Sequence, residues 1–292
     1  MKNTSRISFV MTACLTALGL ALPAGAGEFV KTIPAGDKLE LTVLMRTAGV
    51  KIESWDRAVV EVRSKEDMSR GIEVKESEIR LSYKSRAGDI VAPDEDLFLK
   101  VPKTTNLIAT TVSGELTLAG PVERVKLTSI SGELVMKGSA GRMTLKTVSG
   151  DIEIKTATGD LTAGTVSGEI KGGSISGKLI ELRTVSGDIV LNGLSSEQVR
   201  VKTVSGDITL GCRLSPVGTV KIATVSGDAE LRLPAGAGFT AALKSRSGDL
   251  STDFDKAEQE SQGARTRVKV GSGEAEIEMA SLSGDLKIIK TK

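Results

Sequence analysis

Serine, glycine and an acidic residue stand together many times in this sequence, and the combination could do chemistry. The heptapeptide KTVSGDI occupies residues 146–152 and returns unchanged at residues 202–208. A serine hydroxyl becomes a nucleophile when a base activates it, and carboxylates are ligands for calcium. The unit therefore raises three hypotheses: a nucleophilic active site, a cation site, or one element of a repeating wall.

The nucleophilic hypothesis lacks a base. The 292-residue chain contains no histidine, so it can form neither a Ser-His nor a Cys-His arrangement. No serine of the repeats stands apart beside another base. Cys212 continues the parity of Ile208 and Leu210, which predicts a buried cysteine that behaves as a small hydrophobic residue. We predict no catalytic residue, no cofactor-binding residue and no cofactor.

The acids of the repeat could form a ladder of calcium ligands. Calcium takes about six to eight oxygen ligands, so one carboxylate per repeat is a sparse set. The calcium-binding repeat G-G-x-G-x-D is absent. We therefore expect solvated acids in turns and assign no metal site. The candidates for a weak cation site are Asp151, Asp188, Asp207 and Asp228.

The recurrence of the unit organises the chain, because internal repeats of this kind are typical of stacked architectures. Up to Gly187 the intervals between its glycines are multiples of nine or close to it, and they then widen to 19, 21 and 21 residues. Extra residues between constant units are what the corners of a solenoid tolerate. The structural glycines of the repeat are Gly114, Gly132, Gly150, Gly168, Gly187, Gly206, Gly227, Gly248 and Gly284.

Apolar residues alternate on both sides of each unit, which predicts strands. Val199 and Val201 share one parity, and Val204, Ile208 and Leu210 share the other. A slip at a fixed place indicates a bend or bulge that keeps the apolar side inward. We predict an all-β fold, a β-solenoid or β-helix-like stack of short strands with about 18–21 residues per turn. Whether Ser-Gly-Asp is a tight turn or an outward column of a continuing strand stays open, with the turn favoured.

Charged residues accompany the unit at a regular spacing. Carboxylates stacked about 5 Å apart repel one another. We expect columns of basic residues beside the acids to offset that repulsion, because a base often stands five positions before the acid. The pairs are Lys146 with Asp151, Arg183 with Asp188, and Lys202 with Asp207.

The N-terminus has the pattern of an export signal. Lys2 and Arg6 precede an apolar run, and Ala24-Gly25-Ala26 offers a cleavage site, which predicts a signal peptide over residues 1–26. A rival interpretation makes Cys14 the acylated cysteine of a lipoprotein. Removing residues 1–26 leaves 37 basic residues against 37 acidic ones, which argues against a nucleic-acid partner. We expect an exported protein, periplasmic, surface-located or secreted, with no transmembrane segment in the mature chain.

The remaining chain divides by the clarity of its repeats. Residues 27–105 alternate without clear units and predict an N-terminal β region that caps or begins the solenoid. The TVSGD repeats over residues 106–252 predict the solenoid itself. Residues 253–266 are polar and predict a loop, and residues 267–292 predict closing strands.

Three features together resemble a known family. A strand leads into Val101-Pro102, TVSGDI-type units follow in series, and SGDLKI closes the chain at residues 283–288. Over about residues 36–290 the sequence resembles the bacterial putative-adhesin family of β-strand-repeat proteins. The resemblance implies a β-helix-like fold and a role in the cell envelope or at the cell surface. It brings no defined ligand and no catalytic or binding residues.

Three functions compete. We predict a non-enzymatic cell-envelope protein, an adhesin-like scaffold whose partner is a protein or an envelope or surface polymer. The first alternative is a polysaccharide-active enzyme, because β-helices host lyases, and its nearest candidate residues are Lys171, Lys178, Arg183 and Asp188. The second alternative is self-association into an envelope polymer through the open ends of the stack.

Overall fold

The computed structural model describes residues 29–65, 67–75, 78–82, 96–254 and 257–291, and these are almost entirely strands. The predicted signal peptide, including Cys14, lies outside the described residues. One short 3-10 turn spans Ser69–Gly71. The strands are β1 Phe29–Pro34, β2 Leu39–Leu44, β3 Val50–Trp55, β4 Val59–Ser64, β5 Ile72–Lys75, β6 Glu78–Ser82, β7 Leu97–Pro102, β8 Thr105–Thr110, β9 Leu116–Thr128, β10 Leu134–Lys146, β11 Ile152–Gly164, β12 Ile170–Arg183, β13 Ile189–Lys202, β14 Ile208–Ala223, β15 Ala229–Pro234, β16 Phe239–Ser247, β17 Leu250–Thr252, β18 Glu258–Gln262, β19 Arg265–Val270, β20 Ala275–Ser283 and β21 Leu286–Thr291.

Six long parallel strands, β9 to β14, form the centre of the stack. Each pairs in parallel with the next, and equivalent residues fall in register, as Leu134 does with Leu116 and Ile152. The first half of each strand builds one face of the solenoid, which we call the first face, and the second half builds the second face. A five-residue corner joins the second face of one layer to the first face of the next. The predicted β-solenoid is confirmed.

The core between the two faces is thin and aliphatic. Ile152 and Ile154 point into it from the first face, and Leu161 and Ala163 point into it from the second, each at most 1% exposed. Side chains alternate across each strand, so every second residue reaches this core. Because one layer cannot cover its own apolar side, each layer is stabilised by its two neighbours.

At both ends the order of layers departs from the order of the chain. On the first face β15 pairs with β21, and β21 with β17. On the second face β14 pairs with β20, and β20 with β16. The unit β20–β21 therefore lies inside the stack, one layer before β16–β17. At the other end β3 lies between β7 and β9, while β8 lies between β2 and β9.

The segment expected to be a polar loop, residues 253–266, contains strand β18. Residues 258–262 pair antiparallel with β19, and all five are exposed. A strand that is exposed to solvent on both faces does not alternate apolar and polar residues, so hydrophobic periodicity could not predict β18. The expected closing strands, residues 267–292, include β20 and β21, which are interior strands rather than the last layer.

Candidate contact surface

The corner that carries the repeat turns its threonine inward and its valine outward. The inward residues are between 1% and 8% exposed: Thr111, Ser129, Thr147, Thr165, Thr184, Thr203, Thr224 and Ser281. The residues that follow them are between 41% and 50% exposed, and we call this line the corner ridge: Val112, Ile130, Val148, Val166, Val185, Val204, Val225 and Leu282.

The assignment of Val204 to the core side with Ile208 was wrong. Val204 is 48% exposed, whereas Ile208 is 1% exposed. The same holds for the equivalent ridge residues. Parity predicts the facing of a side chain only along a continuous strand. Residues 203–207 form the corner between β13 and β14, with bends at Val204 and Gly206, so the parity of β14 does not extend back to Val204.

The buried hydroxyl of the corner satisfies a backbone donor in the first layers. The Gly114 N–H donates to Thr111 Oγ1 at 3.1 Å, Gly132 N–H to Ser129 Oγ at 2.7 Å, and Gly150 N–H to Thr147 Oγ1 at 3.1 Å. A buried backbone N–H needs such a partner. The Thr or Ser at this position is therefore a structural residue.

In the later layers the glycine donor takes a different partner. The Gly206 N–H donates to the Ser226 carbonyl, and the Gly227 N–H to the Ser283 carbonyl, each at 3.1 Å. Their φ angles are +150° and +143°. In these layers the hydroxyls of Thr203 and Thr224 are buried, and in the described part of the chain they have no hydrogen-bond partner. The corner thus changes its hydrogen bonding along the stack.

A column of glycines lets the corners stack. A Cβ on any of the nine structural glycines would lie between 1.9 and 2.3 Å from a carbonyl oxygen of the adjacent layer. No side chain fits at that distance. These residues lie in bends between strands, so the interpretation of Ser-Gly-Asp as a turn is confirmed. The glycine at each corner is required for close backbone approach.

The aspartates of the repeat hold the backbone of the adjacent corner. Asp151 Oδ1 accepts the Glu169 N–H, Asp188 Oδ1 accepts the Asp207 N–H, and Asp207 Oδ1 accepts the Asp228 N–H, each at 2.8 Å. Asp228 continues this series by accepting the Asp285 N–H. The four cation candidates are therefore stacked singly, one per layer. Within the described ranges, no three Asp, Glu or Cys side chains cluster as metal ligands would.

Two acids of this column show opposite electrostatic effects. The Asp249 N–H and then the Lys287 ammonium hold the pKa of Asp285 below its usual value. Burial, followed by repulsion from Glu115 and Glu153, raises the pKa of Glu133. No hydrogen bond from a neighbouring corner to the Glu133 carboxylate is found in the described part of the chain, so there the repulsion of stacked acids is not offset by such a bond.

The bases expected to neutralise the acids lie on the other side of the corner. Lys146 and Lys202 end strands of the second face, whereas Asp151 and Asp207 begin the first face, with the corner ridge between them. In the part of the chain that the structure describes, no ion pair joins these bases to these acids. Several bases pair instead with an acid two residues away in the chain, as Lys171 does with Glu169 at 2.8 Å.

The residues proposed for a polysaccharide-active site are not brought together. Lys171 pairs with Glu169 on the first face, and Arg183 pairs with Glu181 on the second face. Lys178 lies in the middle of β12, and Asp188 binds the Asp207 N–H.

A groove runs along the bend in the middle of the long strands and was not predicted as a site. It has a volume of about 960 Å³, and hydroxyls line it in two columns, Thr156 with Ser174, and Thr158 with Ser176 and Ser195. Its signal in the sequence is a hydroxyl residue at every second position, as in Thr156-Ala-Thr158. Cys212 lines the groove, is 4% exposed, and burial raises the pKa of its thiol to about 12. The predicted burial of this cysteine is confirmed.

Comparison with known proteins finds a family and similar folds. The family model described as Toastrack DUF4097 matches residues 37–289. A crystal structure described as a putative lipid binding protein from Parabacteroides distasonis is 17% identical, with a TM-score of 0.55 over 91% of this chain and 98% of the other. A putative adhesin from the same organism is 13% identical, with a TM-score of 0.48 over 89% and 96% of the two chains.

A third similar structure is a putative adhesin from Bacteroides fragilis, 10% identical, with a TM-score of 0.42 over 91% of this chain and 98% of the other. No curated protein matches. Among the described residues, no helix has the length and apolar character needed to cross a membrane.

Proposed function

The chain belongs to the Toastrack DUF4097 family, and on that premise we propose that it is a non-enzymatic scaffold of the cell envelope that binds its partner through the corner ridge. The observation that supports this proposal is the ridge itself. Eight aliphatic side chains, each between 41% and 50% exposed, follow one another along a single edge. A contiguous apolar surface on a soluble fold is typical of an interaction site.

The geometry of the ridge supports a binding role. Successive corners are about 4.8 Å apart, so eight layers extend over about 34 Å. Backbone hydrogen bonds join each corner to the next, as from the Ser149 N–H to the Ile130 carbonyl at 2.8 Å. The surface is thus rigid before it binds, which lowers the entropy lost on association.

Binding of isolated envelope material tests the proposal. The variant Val148→Ser/Val166→Ser/Val185→Ser removes the centre of the ridge, and Val217→Ser is the matched control, because Val217 is 81% exposed and lies away from the corners. We expect the triple variant to retain less than a fifth of wild-type binding in a sedimentation assay, and the control to bind as the wild type does. Equal binding by all three chains would contradict the proposal.

Export and the absence of catalysis belong to the same proposal and have their own measurements. Mass spectrometry of the protein from an expressing bacterium is expected to show a chain that begins at Gly27, and a lipid on Cys14 would support the lipoprotein alternative. Incubation with a panel of glycans, with and without calcium, is expected to give no turnover. A specific turnover that one point mutation abolishes would establish the polysaccharide-active enzyme instead.

A further inference from the structure

The two flanks of the corner ridge carry opposite charge. The acid column, Glu115, Glu133, Asp151, Glu169, Asp188, Asp207, Asp228 and Asp285, lies on the side of the first face. On the side of the second face, exposed bases follow the strand ends and the positions two residues before them: Lys126, Lys146, Arg183, Arg200, Lys202 and Lys221. In the layers of Val148, Val185 and Val204, the order across the corner is base, inward threonine, aliphatic residue, serine, glycine, acid.

Lys146, Lys202, Asp151 and Asp207 have free bonding capacity, whereas Arg183 and Lys221 already pair with Glu181 and Glu278 on the same flank. Lys146 and Lys202 form no ion pair within the described ranges. Asp151 and Asp207 each use Oδ1 for the backbone of the adjacent layer, and no hydrogen bond to Oδ2 is found within the same ranges. An opposite charge brought to either flank would therefore find an unsatisfied partner.

We propose that the occupant of the corner ridge is a second copy of this chain, packed side by side with its stack parallel to the first. This inference rests on the proposed function and names the partner. A two-fold axis parallel to the stack places ridge against ridge and exchanges the flanks, so the bases of one copy face the acids of the other. Lys146 then faces Asp151 of the same layer, and Lys202 faces Asp207. An antiparallel pair would instead oppose acid to acid and base to base.

One further feature agrees with this arrangement. Both copies have the same layer spacing, so their side chains meet at every layer of the ridge and not at one point. The ridge position is occupied by Arg46 in the layer before Val112 and by Arg246 in the layer after Leu282, as the corner hydrogen bonds show. The aliphatic contact therefore extends over the eight layers between these two arginines.

The size of the contact requires the charged flanks. A stable interface buries about 800 Å² per partner. A strip about 34 Å long reaches that area only at a width of about 24 Å. The line of aliphatic side chains is narrower than this, so the flanking columns must contribute.

Sedimentation equilibrium of the purified chain tests whether the pair exists. We expect a dimer, and we expect Val148→Ser/Val166→Ser/Val185→Ser to weaken it at least tenfold with an unchanged circular dichroism spectrum and melting temperature. Val217→Ser is expected to leave the dimer intact. A wild type that remains monomeric up to several hundred micromolar would overturn the inference.

Charge reversal tests the facing of the flanks. Lys146→Glu/Lys202→Glu would oppose carboxylates to Asp151 and Asp207, and we expect at least tenfold weaker pairing at low salt. Added salt is expected to weaken the wild-type dimer and to strengthen that of the variant, because it screens attraction in one and repulsion in the other. Equal dimerisation of both chains at low salt would overturn the proposed arrangement.

Cross-linking tests the parallel orientation. Val112→Cys and Leu282→Cys lie at the two ends of the ridge, seven layers or about 34 Å apart. With a short bismaleimide, each single variant is expected to cross-link with itself, whereas an antiparallel pair would join only the two variants in a mixture. The wild-type chain is the control for its own cysteines. If the chain is monomeric but the ridge variant loses envelope binding, the ridge has another partner, and the proposed function stands without the pair.

Discussion

At the scale of single residues, the corner uses one threonine hydroxyl in two ways. In the layer of Thr147 the hydroxyl accepts the Gly150 N–H. In the layer of Thr203 the equivalent donor, Gly206 N–H, has turned to the Ser226 carbonyl, and the hydroxyl is left without a partner among the described residues. A threonine at the same position of the repeat thus has opposite effects on the free energy of unfolding in these two layers.

Replacing each threonine by the isosteric valine separates the two cases. Thr147→Val leaves the buried Gly150 N–H unsatisfied, and we expect a loss of about 1–2 kcal/mol in the free energy of unfolding. Thr203→Val removes an unpaired hydroxyl, and we expect no loss or a gain of about 1 kcal/mol. Urea denaturation followed by circular dichroism measures both. Equal destabilisation by the two changes would show that the hydroxyls are equivalent.

The acid column predicts two opposite responses to pH. The pKa of Asp285 is lowered in the folded chain, so its stabilising contribution is present above the unfolded value of about 4 and is lost as the pH falls through the folded value. The pKa of Glu133 is raised, so its contribution is favourable below about 4 and is lost as the pH rises through the folded value.

We therefore expect Asp285→Asn to lower the unfolding midpoint at pH 7 and to have a smaller effect at pH 2. Glu133→Gln should raise the midpoint at pH 7 and lose this advantage at low pH. Denaturation of the two variants and the wild type across this range gives the comparison. The same sign of effect for both variants at pH 7 would contradict this electrostatic explanation.

At the scale of elements, the chain near its C-terminus returns into the stack. The unit β20–β21 supplies hydrogen-bonding partners to β14, β15, β16 and β17. The corner of this unit forms backbone hydrogen bonds with the layers on both sides of it. On one side, the Gly284 N–H donates to the Ser247 carbonyl at 2.9 Å. Residues 239–252 therefore depend on a segment that follows them in the chain.

Truncation after Ser272 tests that dependence. A chain whose last strands formed only the final layer would lose that layer alone. Here we expect β17 to lose its partner, while β15 and β16 each lose one of two partners, so residues 229–254 become sensitive to protease. Residues 116–202 are expected to stay resistant, because each layer depends mainly on its nearest neighbours. Limited proteolysis with mass spectrometry locates the cuts, and protection of residues 239–252 would contradict the observed strand order.

At the scale of the whole molecule, the stack is long, regular and open at its ends, and such edges invite further pairing. Antiparallel strands cover one end of the second face, where β19 and then β18 follow β16. β18 is exposed at all five positions and carries Glu258 and Glu260. Charge on an edge strand opposes the end-to-end polymer considered from the sequence.

Removing that charge should expose the edge. We expect Glu258→Val/Glu260→Val to form larger particles as concentration rises, whereas the wild type does not. Glu276→Val is the control, because Glu276 is also exposed but lies on β20, which is paired on both sides. Static light scattering over a concentration series measures the difference. No growth in the double variant would show that something else closes this end.

Much of this architecture could be predicted from local sequence pattern. Alternation along the strands determined that Ile208 and Leu210 face a core, and the recurring unit with its fixed slip determined a β-solenoid that bends once in each repeat. These properties depend on residues close together in the chain, and strand geometry converts their spacing directly into facing. The family resemblance rests on the same repeated units.

Two features of the protein were determined only by its tertiary structure. Thr203 points inward and Val204 outward because the chain bends at the corner. Contacts between layers, rather than strand parity, determine which groups of the corner are buried. The unit of β20 and β21 enters the stack before β16 because Leu286 pairs with Ala229, 57 positions away in the sequence. Pairing between residues so far apart in the chain produces no pattern in the local sequence. The apolar ridge and its oppositely charged flanks therefore become visible only when the layers are stacked.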